Sequence, residues 1–286
     1  NIQWFFDSLA DQWHFFRRLS WGERRQNVKY LFVLLLLLFG VGKNRRVAAN
    51  TFFYLWDILA LRGYLMPLLR FDRSVWLRIC NPKYKGIKAW EYGMLLRTIP
   101  MRPGLELLDV GTGGSIIPYY LASRGMQIRA LDLAYPQEKP LRRHDSSVIF
   151  DRGTMLRLPY KDTSFDVVIS ISAIEHLKKQ SEVRVAIAEM ARVLKIGGIL
   201  FLTSDMYIPT RGEVDRWRME SQAGGWAHAF TPKEFRGSII ETLGRLGCTL
   251  VGRQDFRDAL ISENINRSTY RGRHYTAFAL YAKKTS

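Results

Sequence analysis

A short apolar run that leads directly into a glycine-rich turn restricts the fold of this chain more than any other feature. Residues 105–110 read LELLDV, the pattern of a buried parallel strand, and the turn Gly111-Thr112-Gly113-Gly114-Ser115 follows at once. We predict that Ser115 caps a helix that ends near Gly125. Glycine is needed in such a turn because a side chain would keep a cofactor away from the backbone. The pattern therefore predicts a strand, turn and helix unit that binds a cofactor.

An acidic residue ends the next predicted strand. Residues 127–132 form this strand, and Asp132 lies 21 positions after Gly111. A carboxylate at that position can accept hydrogen bonds from both hydroxyls of a ribose. The turn of a dinucleotide-binding domain carries a third glycine, and the corresponding position here is Ile116, so a nicotinamide cofactor is disfavoured. The chain is predicted to be an α/β protein with a parallel sheet.

Three more motifs follow the acidic residue. Residues 158–168 read LPYKDTSFDVV, residues 175–177 read EHL, and residues 192–198 read RVLKIGG. Together with Asp109-Val110-Gly111-Thr112-Gly113 and with Asp132, these motifs resemble, in the same order, those of the class I S-adenosylmethionine-dependent methyltransferases. The resemblance is to the small-molecule group, which includes the ubiquinone and menaquinone methylases.

The resemblance covers residues 105–204 well and implies a Rossmann-like α/β fold with the seven-stranded sheet of class I methyltransferases. We predict a methyltransferase domain over residues 89–286, preceded by a helical, basic and membrane-associated region over residues 1–88 that is atypical of the family. Two predicted strands, over Thr249–Phe256 and His274–Ala282, would form the antiparallel pair that closes this sheet.

The resemblance also implies which residues bind the cofactor, S-adenosylmethionine. Asp132 would bind the ribose, and Thr154 and Met155 would contact the adenine in place of the acidic residue that is usual in the family. No metal ligand is expected, because methyl transfer from a sulfonium mainly requires that the protein orient a nucleophile and exclude water. The expected cofactor-binding residues are Asp109, Gly111, Thr112, Gly113, Asp132, Leu133, Thr154, Met155 and Ser172.

A hydroxyl or carbon acid as acceptor would need a general base, and histidine has a suitable pKa. His176 follows the fourth predicted strand at its carboxyl end, the edge where open α/β sheets bind ligands, and is the first candidate. His228 is the second, because it precedes a helix with Thr231 as its predicted cap, and Glu175 is the expected helper. A structural histidine is the alternative for each.

Residues 205–231 form a long loop, which we interpret as a lid over an apolar or anionic acceptor.

The positive charge of the chain is concentrated near its amino terminus. The net charge is +17, of which residues 1–104 carry +11, with 17 Lys and Arg against 6 Asp and Glu. Aromatic residues recur over residues 2–21 on both sides of Arg17 and Arg18, and a continuous apolar run over residues 31–39 has basic residues on both sides. This run is shorter than the ~20 residues of a bilayer-spanning helix, and both basic flanks would be drawn to one anionic leaflet. We expect helices that lie in the membrane plane, with residues 47–69 as a further amphipathic helix; a helical cap on a soluble protein is the alternative.

These features favour a methyltransferase on the cytoplasmic face of a membrane, acting on a lipid, a lipid-linked saccharide or another small amphipathic acceptor. The second hypothesis is an RNA methyltransferase with a basic phosphate-binding surface. Against it, residues 170–175 read SISAIE and lack the paired prolines of enzymes that methylate amino groups of nucleic acids. The third hypothesis is a cofactor-binding scaffold without catalysis. Cys80 and Cys248 are too few to form a disulfide framework, which favours a reducing compartment such as the cytoplasm.

Overall fold

The computed structural model describes residues 47–53, 55–71, 87–134, 147–207, 230–255 and 275–286. These residues belong to two compact units, and the division between them falls inside one helix, after Gly93. The first unit includes residues 55–71 and 87–93, and the second includes residues 48–53 and the described residues from Met94 onward. No helix in the described parts of the chain is long and apolar enough to cross a membrane.

Strands and helices alternate along most of the described chain. The strands are β1 (Asn50–Phe52), β2 (Glu106–Val110), β3 (Gln127–Asp132), β4 (Val148–Arg152), β5 (Phe165–Ile171), β6 (Leu194–Tyr207), β7 (Cys248–Leu250), β8 (Gln254–Asp255) and β9 (Tyr275–Lys284). The helices are α1 (Leu55–Ala60), α2 (Arg62–Phe71), α3 (Ile87–Thr98), α4 (Ile117–Ser123), α5 (Gln180–Val193), α6 (Pro232–Phe235) and α7 (Glu241–Arg245), with a 3-10 turn at Ile174–His176 and a π-helical segment at Arg236–Ile240.

The strands form one mixed sheet with the order β4-β3-β2-β5-β6-β9-β1-β8, and β7 also pairs with β9. Strands β2 to β6 are parallel to one another, whereas β9 runs antiparallel to β6 and to β7. Strands β2 to β7 and β9 correspond to the predicted seven-stranded sheet, and β1 and β8 add two short strands to it. The carboxyl ends of β2, β3 and β5 therefore meet at one edge, where the predicted motifs lie.

Strand β1 corrects the prediction of a single amphipathic helix over residues 47–69, which begins with a strand and continues as α1 and α2. Asn50, which seemed to interrupt the apolar pattern, is fully buried in the sheet. Its side-chain amide donates to the carbonyl of Val251 at 3.0 Å and accepts from the N–H of Tyr281 at 2.7 Å. A local pattern cannot reveal this role, because the two partners lie 201 and 231 positions away in the chain.

The helices of the first unit approach one another closely. Leu61, Leu65 and Leu68 are buried, and a Cβ placed on Gly93 would lie 2.9 Å from the Cβ of Leu61. Glycine at position 93 therefore permits an approach that any side chain would prevent. These contacts explain why the apolar residues of α2 form a buried face.

The predicted helix starts have different outcomes. Thr231 caps α6 as predicted: its hydroxyl accepts the N–H of Glu234 at 3.2 Å, and the Glu234 carboxylate accepts the N–H of Thr231 at 3.0 Å. The assigned N-cap of α4 is Ile116, one residue after the predicted Ser115, and the Ile116 side chain makes no capping hydrogen bond. The Ser115 hydroxyl accepts the N–H of Ile117 at 3.2 Å, so the predicted capping interaction is present although the assigned helix begins one residue later than expected.

Candidate active site

The glycine turn and the acidic residue after β3 are held together by hydrogen bonds. One oxygen of the Asp132 carboxylate accepts the N–H of Gly113 at 2.8 Å, and the other accepts the N–H of Ala134 at 3.1 Å. Within the turn, the hydroxyl of Thr112 donates to the buried carboxylate of Asp109 at 2.8 Å. Four of the predicted cofactor-binding residues thus lie in one bonded cluster at the carboxyl ends of β2 and β3.

Gly111 and Gly113 are glycine for different structural reasons. Both adopt left-handed backbone, with φ of +77° at Gly111 and +53° at Gly113. A Cβ on Gly111 would lie only 2.5 Å from the Cβ of Ala173, whereas a Cβ on Gly113 would meet nothing within 4 Å. Gly111 is therefore required for packing against the chain after β5, a reason that differs from the predicted one. Gly113 has the open backbone that the approach of a cofactor needs.

Three predicted cofactor residues follow the carboxyl ends of β3 and β4. Leu133 directly follows Asp132 and is 69% exposed, which is unusual for leucine. Met155 reaches the glycine turn, since its Cε would lie 3.4 Å from a Cβ on Gly111. The hydroxyl oxygen of Thr154 accepts the N–H of Leu156 at 3.2 Å, so one of its acceptor positions is already occupied. Contact of these side chains with an adenine stays a prediction.

The candidate base lies where the sequence predicted it. His176 ends the 3-10 turn after β5, is exposed, and donates its backbone N–H to the carbonyl of Ala173 at 3.1 Å. The neighbouring Glu175 is 4% exposed, so the two side chains have different environments. His228 lies outside the described residues, and the described chain resumes at Phe230, which is fully buried. The assignment of all three predicted catalytic residues therefore stays a prediction.

Ser172, the last predicted cofactor residue, has an unusual backbone. It adopts φ of +47°, which few residues other than glycine tolerate. Its N–H donates to both the carbonyl and the hydroxyl of Thr203, each at 3.2 Å. Sequence reasoning missed Thr203, because it lies in the middle of β6 and becomes a neighbour of Ser172 only when β5 and β6 pair.

A guanidinium anchors the loop that precedes β5. Arg192, near the end of α5, donates to the carbonyls of Leu158 and Tyr160 at 3.1 and 2.9 Å and to the Asp162 carboxylate at 2.7 Å. It also donates twice to Glu189, at 2.7 and 2.8 Å. The hydrogen bonds from Arg192 hold the pKa of Glu189 below its usual value, despite partial burial. Two motifs that are distant in sequence, LPYKD and RVLK, thus form one structural unit.

Tyr160 fastens the same loop to the sheet. Its hydroxyl donates to the Asp151 carboxylate on β4 at 2.7 Å, and Arg129 on β3 donates to the same carboxylate at 2.9 Å. Burial, together with the bond to Asp151, raises the pKa of the Tyr160 phenol well above its usual value. The phenol therefore acts as a hydrogen-bond donor at neutral pH.

The comparison with known families is decisive for the core. Residues 108–202 match the family described as "Methyltransferase domain". Residues 108–202 are therefore a methyltransferase domain. The cofactor of this family is S-adenosylmethionine, and the residues described above fit such a group at the carboxyl edge of the sheet. Among the described residues, no group of three or more His, Cys, Asp or Glu could hold a metal ion.

Named relatives share this methyltransferase domain. The chain is 39% identical over 113 residues to a demethylmenaquinone methyltransferase of Renibacterium salmoninarum, and the aligned stretch covers 38% of this chain and 45% of that protein. It is 29% identical over 157 residues to 27-O-demethylrifamycin SV methyltransferase of Amycolatopsis mediterranei, and the aligned stretch covers 50% of this chain and 55% of that protein. The chain therefore spans about half the length of these curated relatives.

Two solved structures establish the fold of the methyltransferase domain. The crystal structure of the YcgJ protein from Bacillus subtilis has a TM-score of 0.51 at 18% identity and covers 68% of this chain and 98% of its own. A geranyl diphosphate methyltransferase in complex with GPP and sinefungin has a TM-score of 0.52 at 16% identity, covering 74% of this chain and 84% of its own.

Proposed function

We propose that this chain transfers a methyl group from S-adenosylmethionine to a small amphipathic acceptor. The observation that carries the proposal is the bonded cluster of Asp132 and the glycine turn within a matched methyltransferase domain. Each Asp132 oxygen accepts one backbone N–H and keeps further lone-pair capacity for the hydroxyls of a ribose. The open backbone at Gly113 leaves space beside that carboxylate. The remaining cofactor contacts would come from Leu133, Thr154, Met155 and Ser172.

The bound cofactor supplies an activated methyl group on a sulfonium. The protein's part is to hold the acceptor atom in line with that methyl group and to keep water out. His176 is placed to remove the proton of a hydroxyl or carbon-acid acceptor, because it is exposed after the carboxyl end of β5. An exposed imidazole can exchange the proton with solvent after each turnover.

A calorimetric titration tests the cofactor proposal. We expect Asp132→Asn to weaken S-adenosylmethionine binding at least ~10-fold, because an amide presents one acceptor oxygen where the carboxylate presents two. Glu241→Gln changes an exposed carboxylate on α7 and serves as the matched control. Urea unfolding of both variants separates lost binding from lost folding. Unchanged affinity in a folded Asp132→Asn variant would reject the assignment.

The amphipathic acceptor and a membrane-facing position are supported by the sequence and by the described surface. Residues 1–104 carry a net charge of +11 and contain the apolar run at residues 31–39. Lys178 and Lys179, exposed just before α5, and Lys233, exposed on α6, add positive charge near the acceptor end of the sheet. One relative acts, by its name, on demethylmenaquinone. We infer that an anionic membrane surface attracts the chain and presents the acceptor.

Vesicle flotation of the full chain tests the membrane proposal. Phosphatidylcholine vesicles with phosphatidylserine should carry the protein upward at low salt, and vesicles without phosphatidylserine should not. The combined variant R24E/R25E/R45E/R46E should lose flotation. A control with R102E/R124E reverses two exposed charges at the opposite, amino edge of the parallel strands. Absence of flotation for the unmodified chain, or equal flotation of all variants, would leave a soluble acceptor as the better interpretation.

A further inference from the structure

Ser172 stands out because its backbone conformation needs outside support. A residue with a Cβ rarely adopts φ near +47°, whereas glycine does so freely. The residue nevertheless keeps a side chain at this position, in the first turn after β5. Such strain persists only when the surroundings enforce it, and it concentrates at functional sites.

The support comes from Thr203. This residue is fully buried on β6, in register with Ile171 on β5 and with Ala279 on β9. The N–H of Ser172 donates both to the Thr203 carbonyl and to the Thr203 hydroxyl, each at 3.2 Å. The carbonyl would be available from any residue on β6, but the hydroxyl is specific to Thr or Ser. The hydroxyl therefore adds a second acceptor, and the two acceptors together fix the orientation of the Ser172 N–H group.

The conformation of Ser172 sets the path of the chain toward two parts of the candidate site. The next residue, Ala173, packs against Gly111 so closely that no side chain fits between them. The carbonyl of Ala173 then accepts the N–H of His176 at 3.1 Å and closes the 3-10 turn. A change of φ at Ser172 would therefore move both the wall of the glycine turn and the candidate base.

We propose that Thr203 is a positioning residue: its hydroxyl holds Ser172 in the left-handed conformation and so fixes the turn 172–177 against the cofactor-binding glycine turn. The cofactor part of this proposal rests on the proposed function. Thr203 itself is fully buried between β5 and β9, and its proposed effect on the site passes through Ser172.

A cycle of four proteins tests the proposal by S-adenosylmethionine titration. Thr203→Val keeps the shape of the side chain and removes the hydroxyl, and we expect an affinity loss of about 10-fold, the effect of one positioned hydrogen bond. Thr203→Ser should retain wild-type affinity. Ser172→Gly adopts φ of +47° without help, so the Thr203→Val change should cost at most ~2-fold in that background.

A matched control lies before β5, at the end of that strand opposite to Ser172. Thr163 also has left-handed backbone, with φ of +52°, and it precedes the amino end of β5. Thr163→Gly should leave cofactor affinity unchanged. If Thr203→Val lowers affinity by the same factor in the wild-type and in the Ser172→Gly backgrounds, the proposal is overturned; wild-type affinity in Thr203→Val would overturn it as well.

Amide hydrogen exchange without any ligand separates this proposal from the proposed function. Thr203→Val should speed exchange at the N–H groups of Ser172 and His176, and Thr203→Ser should not. If the unmodified chain fails to bind S-adenosylmethionine while Thr203→Val still loosens these amides, the proposed function fails and the positioning role of Thr203 stands. Unchanged exchange in Thr203→Val would overturn the positioning role by itself.

Discussion

The two edges of the parallel sheet use polar side chains in opposite ways. At the amino edge, charged side chains pair with one another. Lys195 contacts the carboxylates of Glu106 and Asp166 at 2.9 and 3.0 Å. Arg192 donates two hydrogen bonds to Glu189 on α5 and three to the loop that precedes β5. At the carboxyl edge, Asp132 accepts only backbone N–H groups among the bonds described, and His176 is exposed.

This difference has an energetic meaning. Mutually paired charges at the amino edge stabilise the fold, because removing one partner leaves the other partly buried and unsatisfied. A carboxylate bound only by backbone N–H groups keeps acceptor capacity for a ligand. We therefore assign stability to the amino edge and function to the carboxyl edge. The following changes would break or sharpen that division.

The largest effect is expected for the candidate base. His176→Gln should lower methyl transfer at least ~100-fold for an acceptor that must lose a proton, because a glutamine side chain cannot act as a base at neutral pH. Transfer of labelled methyl groups into a membrane lipid extract measures this effect. The midpoint of urea unfolding should stay within error of the wild type, since the side chain is exposed. Full turnover in this variant would move the base elsewhere.

The next effect separates the two glycines of the turn. Gly111→Ala should lower the free energy of unfolding by about 3 kcal/mol, because the new Cβ meets Ala173 on left-handed backbone. Gly113→Ala adds a Cβ in open space and should cost only about 1 kcal/mol. Urea denaturation measures both values. Equal losses would show that the close approach of Ala173 has no energetic weight.

A smaller effect is expected at the amino edge. Arg192→Ala should lower the free energy of unfolding by about 2 kcal/mol, since the Glu189 carboxylate and two carbonyls lose a donor. S-adenosylmethionine affinity should change less than ~2-fold. Arg102→Ala removes an exposed charge at the same edge and is the control. A large loss of affinity in a folded Arg192→Ala variant would contradict the division between the edges.

The smallest effect concerns acid stability. Hydrogen bonds from Arg192 and from the N–H of Leu158 lower the pKa of Glu189 from its usual 4.5. A carboxyl group with a lowered pKa in the folded state stabilises the protein fully above pH 4.5 and loses that contribution as pH falls through the folded pKa. Glu189→Gln should therefore flatten the fall of unfolding free energy below pH 4.5, with Glu241→Gln as the control. An unchanged slope would mean that Glu189 is not coupled to folding.

Residues with local signatures were predictable. The glycine turn follows its strand, Asp132 ends the next strand, and Thr231 caps α6, because each signal depends on neighbours within a few positions. The assigned start of α4 lies one residue after the predicted one, although the Ser115 hydroxyl accepts the N–H of Ile117 as a capping residue does.

Residues whose partners are distant in sequence were not predictable. Asn50 interrupts an apolar pattern and was interpreted as part of a helix, yet its amide connects β1 to residues 251 and 281. Thr203 is an ordinary strand residue until β5 pairs with β6. Nothing local distinguishes either residue, because hydrogen-bond partners more than 30 positions away are set by strand pairing.

The amino-acid sequence by itself determined the order of the motifs, and with it the methyltransferase domain and the edge of the sheet that carries the candidate site. Glycine turns, strand ends and helix caps are local, and local sterics and hydrogen bonding are sufficient to specify them. Only the tertiary structure decided why Gly111 must be glycine, which residue holds Ser172, and that Asn50 belongs to the sheet. Those answers depend on which surfaces meet when β1, β5, β6 and β9 pair, and pairing is a property of the whole folded chain.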